Sequence, residues 1–362
     1  MPRFLEELKV LIFKRIFLNK ASILYIVSLF IVCVSVIMGV FIGTVSLTVG
    51  DTIKIIIGHL TGLSLYHGPE NMDLIIWQIR FPRVLVAFLV GASLSIAGAA
   101  FQGLLRNSLA DPYTIGVSSG ATLGSVMAIY FHWSIFGLSI FTLPVVGIVS
   151  GFITLLLVFG ITKLASGNLA NETIILAGII LSSFMSALIS LIVALSPEED
   201  VRQVLYWLMG SVSMRGWSHI QILGPFFLVG TIMLLLHVKE LNGLAFGDQS
   251  AQFMGIDVKK KKRMILIGAS VLTGAAVSVS GAIGFVGLVI PHVVRLVAGA
   301  NHKHVLPLSI LIGGSYLVLA DLLARTILEP RELPIGVVTA LIGSPIFTLL
   351  LVKERMRKRG IS

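Results

Sequence analysis

Residues 83–105 read RVLVAFLVGASLSIAGAAFQGLL. After Arg83 no charged side chain follows until Arg106. A helix rises 1.5 Å per residue and needs roughly 20 apolar residues to cross a hydrocarbon layer. This stretch therefore reads as a membrane span. Nine more runs of similar character lie at 22–46, 113–131, 139–162, 172–195, 218–237, 264–281, 283–299, 304–323 and 335–352. The composition agrees. The chain is 56% hydrophobic and 12% charged, with a mean hydropathy of +1.00. A soluble domain carries about 25% charged residues. The expectation is an all-α polytopic membrane protein with about ten transmembrane helices. The runs at 113–131 and 283–299 are short and Gly-rich, which leaves the count open. Residues 1–21 form a cytoplasmic N-terminal segment, 22–352 one transmembrane domain and 353–362 a basic cytoplasmic tail. The first run lacks an A-x-A cleavage site and reads as a retained helix. Cys33 stands alone inside it, so no intrachain disulfide can form.

Lys and Arg divide unevenly between the two sides. With the N-terminus inside and ten spans, the C-terminus is inside as well. Twenty of the 27 Lys and Arg then fall inside, in 1–21, 239–263, 353–362 and the short connections with Arg106, Lys163, Arg295 and Lys303. Cytoplasmic loops carry such an excess. The net charge of +10 is thus a matter of orientation and calls for no nucleic acid. Arg80 and Arg83, in WQIRFPRVL at 77–85, lie on the opposite side, against the bias. Trp77 suits the headgroup belt, with the arginines snorkelling beside it. Pro82 fixes its own φ and restricts Phe81. That predicts a rigid turn holding both guanidinium groups in a set geometry.

GASLSIAGA at 91–99 is echoed by GAAVSVSGA at 274–282, and FQGL at 101–104 by FVGL at 285–288. In the topology above the two copies run in opposite directions, the pattern of an inverted-topology repeat. Small residues at this spacing also let helices pack closely without any repeat. Both readings make these faces helix–helix contacts.

The longest polar stretch on the inside is KELNGLAFGDQSAQFMGIDVKKKKR, residues 239–263. Asp248 as N-cap and Gly255 as the C-terminal stop delimit a very short helix. Within it Ala251 and Met254 share a face. The run from Lys259 to Arg263 reads as a basic anchor to anionic lipid.

No catalytic constellation and no metal site stand out. The sequence has no Gly-Lys dipeptide, hence no G-x-x-x-x-G-K-[ST] phosphate loop, and no HExxH. His302 and His304 read as exposed loop residues. Asp321 lies deep in an apolar run, and an ionisable group there is a functional candidate. Arg325, four residues on, is its expected neutralising partner. In LSSFMSALISL, Ser182, Ser186 and Ser190 recur every fourth residue, with Ser183 adjacent. Such a stripe either lines a polar route or glues helices together, at about 1 kcal/mol per contact.

Five stretches carry a resemblance: IRFPRVL at 79–85, GAAFQGLLRNSLADPYTIGVSSGA at 98–121, LNGLAFGDQSAQFMG at 241–255, GFVGLVIPHVVR at 284–295 and ELPIGVVTALIGSPIF at 332–347. In this order the chain, from about residue 77, resembles the FecCD-type permease subunits of ATP-binding-cassette importers for iron-siderophores, haem and cobalamin. The resemblance implies a non-catalytic transport subunit in the bacterial cytoplasmic membrane. Its partners would be a second permease subunit, two cytoplasmic ATPase subunits that use ATP and Mg, and an extracytoplasmic binding protein. The stretch 241–255 would be the coupling loop seated in the ATPase subunits, with Leu244, Gly247, Asp248, Ala251, Met254 and Gly255 in contact. ASGNLANET at 165–173 would correspond to the cytoplasmic gate region. Ser182, Ser183, Ser186 and Ser190 would line the pathway. Arg80, Arg83 and Arg325 would meet acidic residues of the binding protein, with Arg331 as a substitute for Arg325. The expected cargo is a metal chelate, ferric siderophore ahead of cobalamin or haem. An ion-gradient carrier with Asp321 as proton site, and a non-transporting scaffold, are the competing classes.

Overall fold

The computed structural model describes residues 2–43, 48–134, 139–167 and 169–358, with side chains other than those at 2–20, 139–140, 354–355 and 357–358. Among the described residues all regular structure is helical. Eight helices are long and apolar enough to cross a membrane. They are α1 (Pro2–Phe41, apolar from Ala21), the continuous helix 70–105, α6 (Ser139–Ser166), α7 (Asn171–Leu195), α9 (Trp217–Leu236), α12 (Val258–Ser280), α14 (His302–Thr326) and α15 (Ile335–Lys358). Two shorter helices, α5 (Val117–Tyr130) and α13 (Val286–Ala298), occupy the two short Gly-rich runs. The residues before the first apolar run are helical and continuous with it in α1.

Burial sorts these helices into two shells. The most apolar window of helix 70–105 is 83% buried, that of α12 is 78% and that of α14 is 67%. The corresponding windows of α1, α6, α7, α9 and α15 are 22–33% buried, so their outer faces are left for lipid or partner chains. The inner helices pack on one another through small residues. A Cβ added at Gly98 would lie 1.9 Å from the Gly287 carbonyl oxygen, and one at Gly91 2.3 Å from that of Gly313. Only glycine permits backbones this close.

Both repeat copies end in the same succession. After helix 70–105 the chain is irregular over 106–116 and enters α5 from Gly116 at φ 88°. After α12 it is irregular over 281–285 and enters α13 from Phe285 at φ 68°. The matching glycines nonetheless differ in use: Gly91 meets α14, whereas Gly274 has only loose contacts with Ile148.

The expected turn at Pro82 is a helix. α3 (Glu70–Leu74) passes through a π-helical segment (Ile75–Arg80) into α4 (Phe81–Leu105) without a break. In the π register each N–H serves the carbonyl five residues back, and Phe81 N–H does so to Ile76. Residue 82 would serve Trp77, but proline has no N–H. Trp217 Nε1 donates to that Trp77 carbonyl instead, at 2.8 Å. Nor is Trp77 simply a headgroup anchor. Its ring stacks on His59 at 4.4 Å and on Phe81 at 5.5 Å, with Trp217 at 4.7 Å.

Two amphipathic helices lie outside the apolar runs, α2 (Val49–Thr61) and α8 (Glu198–Met209). α8 opens on Glu198, Glu199 and Asp200, which suits the positive end of a helix.

Candidate functional site

The stretch 239–263 folds into two short helices, α10 (Val238–Leu244) and α11 (Asp248–Phe253), ahead of α12. Gly247 joins them at φ 106°, ψ 159°, a conformation confined to glycine. Gly247 is the N-cap, so Asp248 is the first helical residue rather than the cap; no side chain caps α11. Gly255, at φ 79°, ends the turn as its position required.

Which side chains face outward differs from the expectation. Leu244 and Ala251 are buried and fasten the element to the rest of the chain. The apolar side chains on offer are Phe253, 91% exposed, Phe246, 72%, and Met254, 57%. Ala251 and Met254 therefore do not act together on one outward face. α10 is latched in turn to α14. Asn242 Oδ1 accepts from His302 N at 2.9 Å and lies 2.8 Å from its Nδ1, while Asn242 Nδ2 donates to Asn301 Oδ1. His302, expected to be exposed, is buried by this latch.

The basic run divides likewise. Lys259, Lys260 and Arg263 are exposed. Lys261 pairs with Glu240 at 2.7 Å. Lys262 is 1% exposed, and its Nζ donates to Asp248 Oδ2 at 2.6 Å, Asn171 Oδ1 at 2.6 Å and the Leu169 carbonyl at 3.2 Å. It is not a lipid anchor. The signal was present: Lys262 falls in line with Val258, Ile265, Leu266 and Ala269, the buried face of α12.

The three arginines singled out for docking converge on one cleft of about 310 Å³, lined also by Ile42, Glu329 and Glu332. None offers an idle guanidinium. Arg83 Nη2 donates to Asp321 Oδ1 at 2.8 Å and Arg83 Nε to Oδ2 at 3.1 Å, a bidentate fork. Arg83 Nη1 donates to Glu332 Oε1 at 2.8 Å. Arg80 is buried and donates to the Val40 and Phe41 carbonyls at 3.3 and 3.1 Å. Arg325 donates to the Gly39 carbonyl. Arg325, the expected partner of Asp321, does form an ion pair with it, but the longer one: its Nε lies 3.9 Å from Oδ2, and its guanidinium also reaches across to α1. Asp321 is satisfied by a residue 238 positions away. Partial burial alone would raise the Glu332 carboxyl. The hydrogen bond and charge of Arg83, with help from Ser213 and Arg325, outweigh that and hold it below its usual value. Arg331, in sequence between the lining residues Pro330 and Glu332, is exposed.

The serines of α7 run along one side of the helix but differ in exposure. Ser182 is partly buried and donates to the Tyr113 carbonyl at 3.2 Å. Ser183, Ser186 and Ser190 are exposed on the outer face, and Ser190 donates to the Ser186 carbonyl.

The model of the FecCD transport family matches residues 29–353. An ABC transporter permease of Bacillus subtilis, YvrB, is 46% identical over 95% of this chain and 97% of its own length. A cobalamin import permease of Halobacterium salinarum, BtuC, is 41% identical over 80% of this chain and 76% of its own. A solved structure of a metal-chelate type ABC transporter in an inward-facing conformation superposes with a TM-score of 0.78 at 34% identity, over 92% of this chain and 99% of that one. The chain belongs to the FecCD transport family and is a multi-pass membrane permease subunit of an ATP-binding-cassette importer.

Proposed function

We propose that two permease subunits of this kind enclose the route of a binding-protein-dependent importer for a metal chelate, with ferric siderophore as the cargo. The observation that carries the reading is the α10–α11 element. It is fastened inward by Leu244, Ala251 and the Asn242–His302 latch, and it presents Phe246, Phe253 and Met254 outward. A rigid, protruding apolar tip with no counterpart in its own chain suits a cleft in a partner. Two cytoplasmic ATPase subunits, using ATP and Mg, are the partners proposed. Nucleotide binding and hydrolysis there would alter the spacing of the two elements and switch which side of the route is open. Ser183, Ser186 and Ser190 are the proposed lining. The binding protein would land on the cleft bounded by Arg80, Arg83 and Arg325. Since their guanidinium groups are engaged within the chain, they shape the cleft, and the exposed residue Arg331 makes the direct ionic contact.

The cargo rests on the likeness to a metal-chelate transporter. Relatives named for cobalamin, hemin and molybdate import match at 41, 38 and 37% identity, so cobalamin stands as the second reading. The test is uptake by proteoliposomes holding this chain, its ATPase and its binding protein. A ferric hydroxamate, cobalamin, haem and molybdate would be offered in turn. ATP-dependent accumulation of the ferric hydroxamate is expected. Accumulation of cobalamin or molybdate alone would overturn the siderophore assignment and leave the importer intact.

A further inference from the structure

Lys262 is a buried charge that neither docking nor lining uses. Its ammonium has three N–H donors, and the three acceptors come from two places, the start of α11 and the start of α7. Asp248 is the first residue of α11, Asn171 is the first residue of α7, and Leu169 lies in the connection ahead of α7. Asn171 extends the chain of bonds by donating Nδ2 to the Leu104 carbonyl in the last turn of α4. One 1%-exposed side chain thus joins the coupling element to the helix that carries Ser183, Ser186 and Ser190. α11 has only six residues, and its other inward side chain is Ala251, an apolar contact that can slide. A desolvated ammonium cannot trade its acceptors for water, so the groups it holds must shift together or leave a charge stranded.

We propose that Lys262 is a positioning residue that transmits displacement of α10–α11 to the N-terminal end of α7, so that movement at the ATPase contact reaches the route. The proposal rests on reading α10–α11 as the ATPase contact. Lys259 and Lys260, neighbours of the same charge, have no such role, because their side chains are exposed.

The experiment uses the full complex of permease, ATPase and binding protein in nanodiscs. Cys33, which is exposed, is replaced by Ser, and exposed Glu172 in the first turn of α7 by Cys for a spin label. The distance between the two labels of the dimer is measured without nucleotide and with ATP and vanadate, with ATP hydrolysis recorded alongside. The expected result is a nucleotide-dependent distance change in the parent that is halved or lost in Lys262→Met while hydrolysis continues, and that survives in Lys260→Met. Where Lys262→Met does not assemble, Asn171→Ala carries the test, since it removes an acceptor on the α7 side and leaves Asp248 in place. An undiminished change in whichever of these two variants assembles overturns the proposal. If the parent itself shows no nucleotide-dependent change, the ATPase-contact reading fails, and the proposal with it.

Discussion

Arg83 and Asp321, 238 residues apart, form a bidentate ion pair with a 2.8 Å contact, and the carboxylate is 1% exposed. A carboxylate held between two fixed hydrogen bonds from a guanidinium is a structural counter-charge. As a proton site it would have to break that fork on every cycle. Removing one partner of a buried pair costs about 3–5 kcal/mol. Asp321→Asn is therefore expected to lower the melting temperature of the purified protein clearly, while uptake per folded molecule is retained. Loss of uptake with unchanged melting would restore Asp321 as a transport site.

Charge reversal separates the two layers of the arginine cleft. Arg331→Glu is expected to weaken binding-protein association several-fold, most strongly at low ionic strength, with little change in stability. Arg83→Glu should instead reduce the yield of folded protein, because it sets three carboxylates together. Surface plasmon resonance and melting curves, measured on both variants, distinguish these outcomes.

The α10–α11 element, the proposed ATPase contact, offers a similar contrast. Phe253 is 91% exposed, so Phe253→Ala should change stability by no more than about 0.5 kcal/mol. As an aromatic anchor in a partner's cleft it should weaken ATPase association by about 2 kcal/mol, roughly thirtyfold. Ala251→Asp, at a fully buried position, should destabilise the permease itself.

The close approach of α4 and α13 is checked at Gly98. A methyl group there would sit 1.9 Å from the Gly287 carbonyl, so one helix must move. Gly98→Ala is expected to cost about 1–3 kcal/mol, and larger side chains more. Gly160→Ala, with open space around it, is the control.

Acidification tests the rim of the cleft. Glu332 is held below its ordinary value of 4.5 chiefly by Arg83, against the opposing effect of burial. A carboxylate whose pKa is lowered by folding adds stability above its unfolded value and loses it as pH falls through the folded one. The protection of the amides over 327–334, relative to their intrinsic exchange at the same pH, should therefore fall as the pH is taken below 4.5, and Glu332→Gln should show the lower protection already at neutral pH.

The helices were legible in the sequence because membrane spans announce themselves by length and apolarity, and the runs needed no tertiary information. The α10–α11 element was legible as a long polar interruption between apolar runs. Its orientation was not. Phe253 and Ala251 lie two residues apart on a helix of six, too short for a periodic pattern to say which faces out. The closer partner of Asp321 was hidden for a different reason. Arg325 was readable from its spacing and lies within ion-pair distance, but nothing local marks Arg83, 238 positions away. Lys262 was readable through its register with Ile265 and Leu266, but a run of four lysines masks the one that turns inward. Pro82 misled because the proline rule assumes an α-helical register, and the π segment beside it, with Trp217 supplying the missing donor, removes the conflict.

The most direct measurement compares two preparations of proteoliposomes loaded with the same chelate. One holds the permease with its ATPase and binding protein and is supplied with ATP and Mg. The other holds the permease alone under an imposed proton gradient. Accumulation in the first only, abolished when ATP is withheld, is the expected result. Accumulation in the second at a comparable rate would contradict an ATP-driven import unit.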